Sequence, residues 1–200
     1  MSDAKLKTRI KNLVKNSLSE IGFGLIKPRI IEREVDGLIQ GVEFQPGTGH
    51  LSGKYTLNVY WRFNYMPKDH LSFDACRRIG ELMGEKDTWF SRENEQLDID
   101  FEKVRNIFRD IIIPFFEKYS SLGKLVDNYS SGSISKQNAF GLDVGWQCFN
   151  AGFSYAALNK NDEAMRELKE LIREHSEEEY DWVQERKNYA QKKLSELESA

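Results

Sequence analysis

Tyr55-Thr56-Leu57-Asn58-Val59-Tyr60-Trp61-Arg62-Phe63 places large apolar residues at every odd position and smaller or more polar ones at most even positions. Side chains of an extended strand point alternately to the two faces of a sheet, so this run predicts a strand with one buried face and one wetter face. The odd-numbered set faces a core, and Asn58, Tyr60 and Arg62 point outward.

Working upstream, residues 30–35 and 38–44 are two β-prone runs joined by Asp36-Gly37. That dipeptide tolerates the positive φ angles of a type I′ turn, so the pair predicts a tight hairpin beside the first strand. Further upstream, Leu6, Ile10, Leu13, Val14, Leu18 and Ile21 recur at three- and four-residue steps, the mark of a core-facing helix over 3–21, which Gly22 and Gly24 end.

Downstream, residues 74–82 and 87–91 read as two further strands. Phe101, Val104, Phe108, Ile111, Ile112, Phe115 and Tyr119 keep a helical period over 98–119, and Pro114 inside it predicts a kink or two abutting helices. Ser130-Ser131-Gly132-Ser133-Ile134-Ser135 has linker composition, and helices are expected beyond it at 142–158, 161–176 and 178–197. The expected architecture is α+β: an antiparallel sheet of about five strands backed by two long helices, plus a C-terminal helical hairpin and a lid helix. Its expected divisions are a sheet domain over 1–129, a linker over 130–139 and a helical appendage over 140–200.

An apolar and aromatic fraction of 40% beside 30% charged residues belongs to a chain that folds. The net charge of -3 gives no electrostatic reason to expect nucleic acid, which calls for clustered Lys and Arg. The start is nonetheless basic (Lys5, Lys7, Arg9, Lys11, Lys15), and an acidic run lies at Glu177, Glu178, Glu179 and Asp181. Such charges make solvated helix faces or a docking surface for a charged partner. Cys76 and Cys148 stand far apart, with no second thiol near either, as reduced residues do. No stretch is apolar enough to span a bilayer, and Lys11, Asn12, Lys15 and Asn16 interrupt any leader-like run, so a cytoplasmic location is expected.

No catalytic, metal or cofactor motif survives inspection. In Gly47-Thr48-Gly49-His50-Leu51-Ser52-Gly53-Lys54 the glycine spacing is wrong for a phosphate loop, and a strand follows where a helix should. Asp98, Asp100 and Glu102 alternate like calcium ligands, but Lys103 replaces the turn glycine, and helix capping accounts for them. The three histidines lack the spacing of a zinc site. What remains is the outer face of the sheet, where Asn58, Tyr60 and Arg62 with Glu43 and Gln45 form the candidate binding residues, Trp89 joining them. The competing account is a structural cross-strand row held by a Glu43–Arg62 pair.

The order of a leading helix, the Asp36-Gly37-Leu38-Ile39-Gln40 hairpin with Phe44-Gln45, an aromatic alternating strand, Trp89-Phe90, and a helix containing Ile113-Pro114-Phe115-Phe116 resembles an uncharacterised bacterial family, domain of unknown function 4304. The similarity covers about the first two thirds of the chain and implies a bacterial origin and an α+β fold; it supplies no catalytic residues. Gly152, Tyr155, Ala164, Leu168 and Leu171 resemble one tetratricopeptide-type helical hairpin, with Cys148 where that repeat usually carries Trp. The expected function is a non-enzymatic module that binds a protein partner, of the kind that neutralises a toxin or accompanies a larger complex. The alternative is a small-ligand-binding protein or enzyme with its site between the sheet and the C-terminal helices, using Glu43, Tyr60, Arg62 or Trp89.

Overall fold

A computed structural model of the chain describes residues 2–65 and 74–199. It divides into two compact units: residues 1–64 with 76–121, and residues 65–75 with 122–200.

The first unit is built on a six-stranded antiparallel sheet. Its strands are β1 (Gly24–Lys27), β2 (Ile30–Val35), β3 (Leu38–Pro46), β4 (Lys54–Phe63), β5 (Ala75–Arg78) and β6 (Phe90–Ser91). They lie in the order β1-β2-β3-β4-β5, and β6 pairs with the start of β4. Asp36 and Gly37 adopt φ of 34° and 83°, so the hairpin turns as the dipeptide requires.

One face of the sheet presents Ile31, Val42, Phe44, Tyr55, Leu57 and Val59 to a buried core. Across that core lie Leu6, Ile10, Leu13, Val14 and Leu18 of the first helix and Phe101, Val104, Phe108, Ile112 and Phe116 of the second. The first helix runs as α1 (Ser2–Leu13) into a π-helical turn over Val14–Leu18 and a 3-10 turn over Ser19–Ile21. A π turn inserts a residue into the helical phase, which swings Ile21 out of the stripe and leaves it exposed, contrary to the sequence pattern.

The second helix begins at Asn94, one turn earlier than its apolar period suggests: α3 (Asn94–Ile107), a π turn over Phe108–Ile112, then α4 (Ile113–Lys118). Pro114 has no N–H to give to the carbonyl one turn back, and the wider turn just ahead of it accommodates that loss without a break. Asp100 is no cap. Its carboxylate accepts from the Ser91 N–H at 2.8 Å and from Gln96 and Lys103 at 2.9 Å, pinning β6 to α3. Burial opposes its ionisation, but these three donors outweigh burial and hold its pKa below the usual carboxylate value.

Two strands expected from the sequence are shorter than predicted. Residues 74–82 give β5 and then a helical turn, α2 (Ile79–Met83), closed by Gly84 at φ 70°; of 87–91 only β6 pairs. The chain folds back so closely on Gly80 that a β-carbon there would meet the Lys86 carbonyl. Apolar runs this short cannot distinguish a strand from a buried turn. The edge strand β1, unmarked in the sequence because Gly22 and Gly24 lead into it, is the converse error.

The second unit is helical: α5 (Leu122–Ser130), α6 (Lys136–Phe140), α7 (Val144–Ala157), α8 (Asn161–Glu174) and α9 (Asp181–Glu198). The last three match expectation within a few residues. Gly152 allows α7 and α8 to close, since a β-carbon there would lie 2.6 Å from Leu168 Cδ2. The predicted boundaries do not hold. The first unit ends at Ser121, ahead of α5, and residues 65–75 belong to the second unit, where the Tyr65 hydroxyl donates to the Asn150 carbonyl at 2.8 Å and its ring stacks on Phe153. The serine-rich stretch is a capped corner rather than a linker. Ser133 N–H bonds Asn128 O at 2.8 Å, Ile134 is buried, and Ser135 Oγ accepts from Asn138 N–H at 3.2 Å to cap α6. Serine favours helix caps as much as flexible linkers, so composition alone misled.

Candidate functional site

The polar face of the sheet is arranged by register. Glu32 of β2 lies opposite Gly41 of β3, and Gly41 opposite Tyr60 of β4, so the three form one row across the strands. Gly41 has no side chain, and the Tyr60 ring lies over it; a β-carbon at 41 would collide with the phenol. The Tyr60 hydroxyl reaches across the strand and donates to Glu32 Oε1 at 2.7 Å. Arg62, two residues along β4, forks onto the same carboxylate, Nε to Oε1 at 3.1 Å and Nη2 to Oε2 at 2.7 Å. Such a two-pronged guanidinium–carboxylate pair is directional and strong.

A second bonded group adjoins the row. Glu43 pairs with Asn58 and Gln45 with Thr56 in the β3–β4 ladder. The Asn58 amide donates to Glu43 at 2.8 Å and to Gln45 at 3.1 Å, and the Thr56 hydroxyl donates to the Thr88 carbonyl at 2.8 Å. Trp89 stands with other residues: its indole donates to Asp87 at 3.2 Å, and the Arg78 guanidinium, also bonded to Asp87, lies 5.5 Å from its ring centre.

Five of the six residues singled out from the sequence thus share one face, and Trp89 is engaged apart from them. Two expectations are corrected. Even positions of β4 do not form a wet face: Tyr60 is 0% exposed, Thr56 and Asn58 are buried, and Arg62 is largely so. Period-two alternation states which residues share a face and not what covers it. Nor is Arg62 paired with Glu43; the register sets it beside Ile39, and Gly41 opens the path to Glu32. Sequence reading missed Glu32 and Gly41 as the centre of the row. The available signal was a glycine inside a β-prone run, which marks a close approach.

Burial first, and then the bond to Glu32, push the Tyr60 hydroxyl well above its ordinary value of 10.0; burial likewise raises Tyr55. The Cys76 thiol is pushed up to about 11, by burial and then by Glu43 and Glu81, which makes it a poor nucleophile at neutral pH. A raised phenol pKa has a defined consequence. The unfolded chain loses its tyrosine protons near pH 10 while the folded chain keeps them, so stability is full below that pH and falls above it. We expect the unfolding free energy from urea titrations to drop between pH 9 and pH 11, and to drop less steeply in Tyr60→Phe, by about 1.4 kcal/mol per pH unit above 10. Equal slopes would place the phenol in an open environment.

Gly41→Ala tests the row directly. The added methyl must displace the Tyr60 ring from Glu32, and overpacking of this kind costs about 1–3 kcal/mol; an unchanged denaturation midpoint would show that the ring does not lie over the glycine.

On the opposite face, Arg33 and Gln40 form a further polar cluster unseen in the sequence. The Gln40 amide, 0% exposed, donates to the carbonyls of Phe116 at 3.0 Å and Tyr119 at 2.8 Å, which end α4, and accepts from Arg33 Nε at 2.9 Å. Among the described residues no group of three or more His, Cys, Asp or Glu is placed to hold a metal, and no helix is long and apolar enough to cross a membrane. Comparisons of the chain with family models, with curated proteins and with solved structures find no match.

Proposed function

We propose that this chain is a non-enzymatic protein-binding module, acting in the cytoplasm and akin to the bacterial family it resembles. The observation that carries the reading is the mutual saturation of the candidate site: the Glu32 carboxylate accepts three bonds from Tyr60 and Arg62, and Asn58 is held by Glu43 and Gln45. General acid–base work needs a group free to exchange a proton with a substrate, and a rigid ladder of satisfied groups suits a scaffold instead. The two halves of the family-like pattern also meet, since Gln40 of the hairpin bonds the carbonyl of Phe116 in the Ile-Pro-Phe-Phe helix. That contact supports a structural role for the residues that carry the resemblance. Large apolar side chains are open to solvent in both units, at Ile26 and Ile99 in the first and at Leu142, Val144, Tyr180, Trp182 and Tyr189 in the second, as surfaces for partners often are.

A second reading, a small-ligand binder, draws on one feature of the first unit. A groove of about 410 Å³ is lined by Leu13, Ser17 and Leu18 on one side and Arg105, Phe108 and Ile113 on the other, with a π turn on each wall. π turns inside helices recur at functional sites. Affinity capture of the whole chain from its native host, with mass spectrometry of proteins and small molecules, separates the two. A stoichiometric protein partner is the expected result, and a retained metabolite with no protein would overturn the first reading in favour of the second.

A further inference from the structure

Around the start of α9 three aromatic rings and a guanidinium stand together. Arg186 Cζ lies 3.2 Å from the centre of the Trp146 ring and 4.4 Å from that of Trp182. Trp182 in turn lies parallel to Tyr180, with centroids 6.2 Å apart and 9° between the planes. The inner end of this group is closed, but the outer end is not: Trp182 is 46% exposed and Tyr180 67%. Two large rings side by side at the surface form a contiguous apolar patch, and such patches mark interaction sites more than scattered side chains do.

The exposed charges of residues 177–185 are all acidic. Glu177, Glu179, Asp181 and Glu185 are exposed and have no ion-pair partner among the described residues, while Glu178 binds His175 at 2.8 Å. The nearby cations are already engaged, Arg186 between the tryptophan rings and Lys187 on the carbonyls of His175 and Ser176. Carboxylates just ahead of a helix are favoured by its dipole, which accounts for their position. It does not account for the exposed rings among them. Aromatic faces flanked by carboxylates attract a guanidinium or ammonium twice over, through the ring quadrupole and through charge. They repel phosphate, which disfavours nucleic acid and anionic lipid as occupants.

We propose that Tyr180, Trp182 and the carboxylates of residues 177–185 form a docking surface for a positively charged, arginine-bearing polypeptide segment. An arginine of the partner would lie on the Tyr180–Trp182 pair as Arg186 lies on Trp146, with its neighbours meeting Glu177, Glu179 and Asp181. The proposal rests on the protein-binding reading and names the surface and the chemistry of the partner.

The test uses the full chain and a labelled octa-arginine peptide, followed by fluorescence anisotropy at physiological ionic strength, with octa-lysine as the comparison. Octa-arginine is expected to bind saturably at one site and more tightly than octa-lysine. Tyr180→Ala, which leaves the Arg186 contacts in place, and Tyr180→Ala with Trp182→Ala should weaken it, the double variant by about tenfold. Glu177→Gln with Glu179→Gln and Asp181→Asn should weaken both peptides. Absence of saturable binding, or equal affinity in the aromatic variants, would overturn the proposal, as would a dimer of the chain that the double variant dissociates. A host protein captured equally by wild type and the double variant would remove this surface and leave the protein-binding reading standing; capture of no protein by either would remove both.

Discussion

Phe108→Ala is expected to lower the unfolding free energy by about 3–5 kcal/mol, the range for deleting a large aromatic from a packed interior. Phe108 is 1% exposed and stacks on Phe44 of β3 at 6.1 Å and 16°, while Phe44 stacks in turn on Phe101 at 6.3 Å. Truncation therefore removes one of the two aromatic stacks that join the second helix to Phe44 in the sheet. It does so at the first residue of a π turn, where the wider backbone is held by its side-chain packing rather than by ideal helical hydrogen bonds. A denaturant titration should show the midpoint falling with little change in slope. A midpoint that stays in place would mean that this stripe of the helix does not face the sheet.

Glu32→Ala is the second large effect. One carboxylate serves both Tyr60 and Arg62 within a buried row, and a largely buried guanidinium that loses its counter-charge destabilises by about 3–5 kcal/mol. Glu32→Gln keeps the volume but turns an acceptor into a donor facing Arg62, and should recover only a small part of the loss. Tyr60→Phe removes one bond to a charged acceptor and is expected to cost less, about 1.5–3 kcal/mol. Because both residues act on the same carboxylate, the Glu32→Ala, Tyr60→Phe double variant should be less damaging than the sum of the singles. Additive losses in chemical denaturation would show that the row does not act as a unit.

How far these features could be read from the residues depends on the range over which the signal acts. Asp36-Gly37 announces its own turn, because the backbone angles it tolerates are a local property. The odd positions of β4 likewise announce their shared face, and the helices that cover it carry their own period. Burial of Tyr60 and Arg62 was not legible, since a polar side chain looks the same in sequence whether its partner is water or Glu32 on the second strand over. Gly41 held the clue to that partner, but only once the register was known. The π turns were hidden for a different reason. An inserted residue shifts the phase of a helix without altering its composition, and only the misplaced Ile21 betrays it. In the serine-rich corner, a single buried residue, Ile134, outweighed its four serine neighbours.

The bond between Tyr65 and Asn150 bears on how the protein is made. A chain leaving the ribosome delivers Tyr65 long before Asn150, from which it is separated by 85 positions. At translation speeds of roughly 5–20 residues per second, that interval is about 4–17 seconds. For that time the Tyr65 hydroxyl lacks the carbonyl that accepts from it in the folded chain. The helical half can close around Tyr65 only after α7 has been made.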